Sequence, residues 1–161
     1  MDVQPELMTE KKLGIIIVDK DSRNKKIFDI VCRIGLPRML PDTSVATYQA
    51  EWLLEGIRRA KIFQRQRRRV IMFISADTDL SSIKRTVFQL QRDGSVKLED
   101  TVLVSEDQSH RAFTGSLGIR FLLKPINGFR LPDFILKTLG EKRSSQGEGK
   151  VISLSTVRKH Q

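Results

Sequence analysis

The chain has 161 residues, which suits one domain with short tails and would crowd two domains. Its composition is 39% hydrophobic and 30% charged with a formal net charge of +10, and no apolar run approaches the roughly 18 residues that span a bilayer. The acidic amino terminus also lacks the pattern of a signal peptide, so we expect a cytoplasmic protein with no membrane contact.

The first part of the chain contains two clear elements and one weak one. Leu13–Val18 is an unbroken apolar run, which predicts a strand buried on both faces. Ser22 can cap a helix whose apolar residues recur every three or four positions up to Ile34. The next strand is marked only by Met39 and Leu40.

A long second helix is predicted next. Three potential caps at 42–44 precede apolar residues at helical spacing that continue to about Arg67. We expect Tyr48 and Trp52 on its buried face. The sequence therefore predicts an elongated second helix.

Three further strands alternate with helices in the second half. The strands are Val70–Ile74, Thr101–Val104 and Ile119–Leu123, and Pro132 opens the last helix. Strands that alternate with helices favour a parallel sheet covered on both faces, so we predict a doubly wound five-stranded α/β sheet.

The same pattern predicts one domain at residues 13–142. Residues 1–12 form an amino-terminal tail, and the Ser-, Gln- and Gly-containing residues 143–161 form a basic flexible tail. Cys32 has apolar neighbours in the first helix, so we expect a buried thiol without disulfide or reactive function.

Asp19, Ser105 and Lys124 each end an apolar run, and Pro125 follows Lys124. The apolar runs that end at these residues, the last of which continues to Ile126, resemble segments of the receiver domain of bacterial two-component response regulators. The resemblance covers about residues 13–139. It implies a flavodoxin-like, CheY-like three-layer α/β/α fold and a role in signalling.

Members of this family are phosphorylated on an aspartate, in a pocket that contains four other functional groups. It places an acid pair after the first strand, the acceptor aspartate after the third, a hydroxyl after the fourth and a lysine after the fifth. Here Asp19, Ser105 and Lys124 match three of these positions. Phe121 matches the aromatic residue that changes rotamer on activation in the family, and an ordinary core position would explain it equally well.

The chain departs from this pattern after its first strand. Lys20 stands where the second carboxylate is expected, and its positive charge would repel a divalent cation and pair with Asp19. Alternatively, Lys20 is a solvated loop residue that points away. A metal ligand is missing in both cases, so we expect no cofactor and weak or absent Mg²⁺ binding.

The acceptor position depends on the register of the third strand. Ser75 directly follows the apolar run and is a poor phosphoryl acceptor without a general base. The spacing to Ser105 also allows Asp77, which has a second interpretation as a helix cap. We favour Ser75, which would make the pocket vestigial.

A basic cluster is the strongest electrostatic feature of the sequence. Its seven residues are Arg58, Arg59, Lys61, Arg65, Arg67, Arg68 and Arg69. They could contact phosphates of a nucleic acid or another polyanion, or form a solvated helix face. His110 and His160 lie outside any metal-ligand spacing, and we interpret both as surface residues.

These observations favour a phosphorylation-independent pseudo-receiver that is not an enzyme. It would act as a regulatory protein-interaction module that binds a protein partner, or a second copy of itself, through its last strands and last helix. One alternative is nucleic-acid or polyanion binding through the basic cluster. The other is an active receiver that is phosphorylated on Asp77.

Overall fold

The computed structural model describes residues 11–76 and 80–140. Asp77 and almost all of both predicted tails lie outside these ranges. Lys11 and Lys12, which the sequence analysis assigned to the amino-terminal tail, belong to the first strand.

A five-stranded sheet forms the centre of the molecule. Its strands are β1 (Lys11–Val18), β2 (Thr43–Ala50), β3 (Arg69–Ser75), β4 (Thr101–Ser105) and β5 (Arg120–Leu123). The spatial order is β2-β1-β3-β4-β5, and all four neighbouring pairs are parallel. The predicted flavodoxin-like three-layer α/β/α fold is confirmed.

Helices cover both faces of the sheet. They are α1 (Ser22–Ile30), α2 (Leu36–Met39), α3 (Leu53–Arg65), α4 (Leu80–Asp93), α5 (His110–Leu117) and α6 (Arg130–Leu139), with a π-helical segment, Val31–Gly35, between α1 and α2. The α1–α2 segment and α6 pack on one face, and α3, α4 and α5 pack on the other. Pro132 lies in the first turn of α6, two residues after the helix begins.

The predicted elongated second helix is wrong. Residues Thr43–Ala50 form the edge strand β2, which pairs with β1 along its whole length, and α3 begins only at Leu53. β-branched residues are frequent in residues 43–47, and most side chains of β2 are half-buried, as in an edge strand. Trp52 was expected in the core, but it precedes α3 and is 59% exposed.

Two glycines let α3 lie directly on the sheet. A Cβ atom at Gly14 would overlap the ring of Phe63, and one at Gly56 would lie 2.7 Å from Cγ2 of Val18. The aromatic ring of α3 therefore fills the space above β1 that a side chain would otherwise occupy.

Cys32 is fully buried, as predicted, and burial raises the pKa of its thiol. Within the described ranges, none of the helices has the length and apolar character needed to cross a bilayer.

Candidate functional site at the carboxyl ends of the strands

Four polar side chains meet at the carboxyl edge of the sheet. Asp19 follows β1, Ser75 ends β3, Ser105 ends β4 and Lys124 follows β5. Val18 is in register with Ile74, so Asp19 and Ser75 are neighbours across β1 and β3. The sequence analysis named all four positions as ends of apolar runs, with Ser75 favoured over Asp77, and parallel strands bring such ends to one edge of a sheet.

Lys124 connects three strands at this edge. Its ammonium donates a hydrogen bond to Ser75 Oγ at 2.9 Å and lies 3.9 Å from Asp19 Oδ2. Its backbone N–H donates to the carbonyl of Ser105 at 2.7 Å. The side chains of Lys124 and Asp19 are only 6% and 1% exposed, so this is a buried ion pair.

The Asp19 carboxylate also accepts two hydrogen bonds from the start of α1. The backbone N–H of Asp21 donates to Oδ1 at 2.8 Å, and the amide of Asn24 donates to Oδ2 at 3.1 Å. Both carboxylate oxygens therefore have protein partners, as a buried charge requires.

Lys20 points toward an exposed aromatic ring. Its ammonium lies 4.4 Å from the centroid of Trp52, and the Lys20 side chain is exposed. The expected pairing with Asp19 is wrong, and the alternative of a loop lysine that points away describes the arrangement. Asp19 has Lys124 as its counter-ion instead.

Ser75, which the sequence favoured over Asp77 for the acceptor position, lies inside the buried cluster. Ser75 is 1% exposed and ends β3 beside Lys124. Asp77 lies outside the described residues, so its role as an acceptor stays a prediction. Among residues 11–76 and 80–140 there is no group of three His, Cys, Asp or Glu side chains that could hold a metal ion.

His110 was expected at the surface, and its side chain is 23% exposed while it contacts the residue that ends β4. Its Nδ1 lies 2.7 Å from Ser105 Oγ, and its Nε2 lies 3.5 Å from Asp107 Oδ2. The Asp107 N–H also donates to Ser105 Oγ at 3.0 Å. The Ser105 hydroxyl is therefore held by the turn that follows β4.

The turn that carries these contacts is fixed by Asp107. Its Oδ1 accepts hydrogen bonds from the backbone N–H and hydroxyl of Ser109, at 2.9 and 2.7 Å. The hydrogen bond from the Ser109 hydroxyl is the main reason that the Asp107 pKa lies below its usual range, whereas desolvation acts to raise this pKa. The sequence signal was the short spacing from Ser105 to His110 across turn-forming residues. His160 lies outside the described residues.

A groove lies between α5 and α6 above β5. Its volume is about 480 Å³, and its lining includes Phe121, Leu123 and Phe134 with the arginines Arg111 and Arg130. The Arg111 guanidinium covers the Phe121 ring at 4.7 Å from its centroid. Phe121 is 9% exposed, and its role as a switch aromatic stays a prediction.

The predicted basic cluster divides into residues with different partners. Arg68 donates to the carbonyls of Leu13 and Ser44 at 3.2 and 2.9 Å. Arg69 binds the buried carboxylate of Asp100 through two hydrogen bonds of 2.8 and 2.9 Å. These two side chains stabilise the fold and do not extend the helix surface.

The other five residues of the cluster lie on or just after α3. Lys61 pairs with Asp93 at 3.5 Å, and Arg59 stacks on Tyr48 at 4.3 Å. Arg58, Arg65 and Arg67 are exposed. The seven charges therefore do not form one continuous stripe.

The fold is that of a flavodoxin-like α/β protein, and a buried Asp–Lys–Ser cluster lies at the carboxyl ends of its strands. No protein-family model matches the chain, and a search of curated proteins finds no match.

Proposed function

We propose that this protein is a phosphorylation-independent pseudo-receiver, a regulatory module that binds a protein partner and catalyses no reaction. The main support is the position of Lys124, whose ammonium is engaged by both Asp19 and Ser75. The residues that resemble a receiver pocket thus stabilise each other.

Phosphoryl transfer to a receiver needs groups that these positions do not supply. A divalent cation requires several oxygen ligands, and carboxylates usually provide the charge. Asp19 offers one carboxylate whose oxygens already accept hydrogen bonds from Asp21 and Asn24. Lys20 replaces the second acid and binds an aromatic face outside the pocket. This supports a structural use of the pocket and weak or absent Mg²⁺ binding.

The groove above β5 supports protein binding. Leu123 is 41% exposed on the edge strand, and Phe134 lies along α6 with Arg130 nearby. An apolar floor with cationic residues at its edge fits a protein segment that presents an aliphatic or aromatic side chain beside carboxylates. A partner protein is our proposed occupant, and homodimerisation is the competing outcome.

A phosphorylation assay tests the pocket. The protein is incubated with Mg²⁺ and acetyl phosphate, and its intact mass is recorded for wild type and for Asp77→Asn. We expect no phosphoryl adduct in either sample. An adduct in the wild type that disappears in Asp77→Asn would overturn the proposal and identify an active receiver.

A matched pair of surface variants tests the groove. Leu123→Arg adds charge to the groove, whereas Phe88→Arg changes a similarly exposed apolar residue on α4 that does not line the groove. A partner isolated with wild type should be lost with Leu123→Arg and retained with Phe88→Arg. Equal retention by both variants would contradict docking at β5. Sedimentation equilibrium would reveal a dimer sensitive to Leu123→Arg if the occupant is a second copy.

A further inference from the structure

A second cavity lies at the amino ends of the strands, opposite the Asp19 pocket. Its volume is about 300 Å³. Half of its lining residues are basic, and these are Lys11, Lys12, Arg67 and Arg69. The four basic residues come from β1, from the turn after α3 and from β3.

The cavity has an aliphatic floor. Leu13 and Leu40 are buried in the core, and Leu139 is half-buried at the end of α6. An aliphatic side chain placed against these leucines would leave water and contact apolar atoms, which is favourable.

The cationic rim has an exposed part and a part bound within the protein. Lys12 and Arg67 are exposed, while Arg69 holds the buried Asp100 carboxylate. Lys12 and Arg67 can therefore meet a carboxylate at the surface without disturbing the buried pair.

The backbone of Arg67 supports a role for its side chain. Arg67 has φ +65°, in the left-handed region where glycine or asparagine is favoured. Its N–H donates to Gln64, and the N–H of Arg68 donates to Phe63, which is the hydrogen-bond pattern that commonly ends a helix with glycine. An arginine here places a cation at the cavity rim in an unfavourable backbone conformation, as is frequent at functional positions.

The lining chemistry distinguishes between anionic ligands. Single-stranded nucleic acids gain affinity when bases stack on aromatic side chains, and the described lining is aliphatic and cationic. A peptide with carboxylates and one aliphatic side chain matches both parts of the cavity. We propose that this cavity binds an acidic protein segment, with an aliphatic side chain on the leucine floor and carboxylates at Lys12 and Arg67. This site is separate from the β5 groove and does not depend on the proposed pseudo-receiver function.

Fluorescence anisotropy of the full chain tests the proposal. The probe is a labelled synthetic peptide in which glutamates flank a single leucine, compared with the same peptide carrying serine in place of leucine. We expect the leucine peptide to bind and the serine peptide to bind about tenfold more weakly. Burying a leucine side chain lowers a dissociation constant by roughly tenfold or more.

Protein variants locate the site. Lys12→Ala combined with Arg67→Asn removes two charges, and asparagine tolerates the left-handed backbone. This double variant should bind about three- to tenfold more weakly. The control combines Arg58→Gln with Lys84→Gln, which removes two exposed charges outside the cavity lining, and should bind within about twofold of wild type.

Several results would overturn the proposal. They are no binding of the leucine peptide at low salt, equal affinity for the serine peptide, or equal losses in the cavity and control variants. A single-stranded oligonucleotide of the same charge that binds more tightly and is affected by the cavity variant would assign the site to nucleic acid instead. Thermal unfolding is measured for each variant to check that the fold is retained.

Discussion

Replacing Lys124 by methionine tests how the buried cluster at the carboxyl edge is held together. Methionine keeps an unbranched apolar stem and removes the ammonium that contacts Asp19 and Ser75. The Asp19 carboxylate would stay buried with its hydrogen bonds from Asp21 and Asn24 and without the Lys124 charge.

The separation in the structure sets the size of the effect. Opposite charges 3.9 Å apart attract by about 4 kcal/mol at an effective dielectric constant of about 20. The lost hydrogen bond to Ser75 adds about 1 kcal/mol, while relief from burying an ammonium offsets a few kcal/mol. We expect Lys124→Met to lower the free energy of unfolding by about 2–3 kcal/mol, and the melting temperature by about 5–10 °C.

A double-mutant cycle separates the ion pair from other effects. Urea unfolding followed by far-UV circular dichroism is measured for wild type, Asp19→Asn, Lys124→Met and the double variant. Asp19→Asn removes the charge that Lys124 balances, so the second substitution should cost much less in that background. We expect a coupling free energy of about 2 kcal/mol.

The exposed pair of Arg33 and Asp29 provides the control cycle. Its atoms are only 3.0 Å apart, but the arginine side chain is 61% exposed, so water screens the interaction. Its coupling should be within the error of the measurement. Additive effects of Asp19→Asn and Lys124→Met, within about 0.5 kcal/mol, would refute the conclusion that the buried pair stabilises the pocket.

Three further predictions follow from packing and hydrogen bonding. In urea unfolding, Gly14→Ala should destabilise the protein by about 2–3 kcal/mol because its methyl group overlaps the aromatic ring of α3, whereas Gly115→Ala, with open space in α5, should stabilise it by about 0.5–1 kcal/mol. Cys32 should react with a thiol reagent only as fast as the protein unfolds, because burial excludes the reagent and raises the thiol pKa. Ser109→Ala should raise the Asp107 pKa toward its ordinary value in a carboxyl NMR titration. Since the folded-state pKa of Asp107 is lowered, its contribution to stability is present above the unfolded-state pKa and is lost as pH falls through the folded-state value.

Each of these predictions has a contrary result. A neutral Gly14→Ala would show that α3 can move away from β1 at little cost. Rapid labelling of Cys32 under native conditions would show local opening between the π-helical segment and the sheet. An unchanged Asp107 pKa in Ser109→Ala would remove the hydroxyl hydrogen bond as its cause.

The error at β2 has a specific physical origin. Val45 and Tyr48 are spaced to fit one helix face, but they also belong to an edge strand whose side chains are mostly half-buried. An edge strand has only one neighbour and lacks the continuous apolar run of β1. Local periodicity alone could not separate these possibilities, because pairing with β1 selects the strand.

The site shows the same division between strand ends and loops. The positions of Asp19, Ser105 and Lys124 were predictable because each directly ends or follows an apolar run that forms a strand. The directions of Lys20 and His110 were not, because each depends on a partner brought near by a turn or by another element. The Lys20 ammonium lies over the Trp52 ring, and His110 forms a hydrogen bond with Ser105.

The sequence by itself determined the α/β class and the strand ends that build the carboxyl edge, since continuous apolar runs and amphipathic helices are local patterns. Only the tertiary structure decided that Lys124 is the counter-ion of Asp19. It also decided that Arg68 binds backbone carbonyls and Arg69 binds the Asp100 carboxylate, while Arg67 lies at a cavity rim. These choices arise from contacts between residues distant in the chain, where burial and charge compensation select one of several side-chain directions that the local sequence allows.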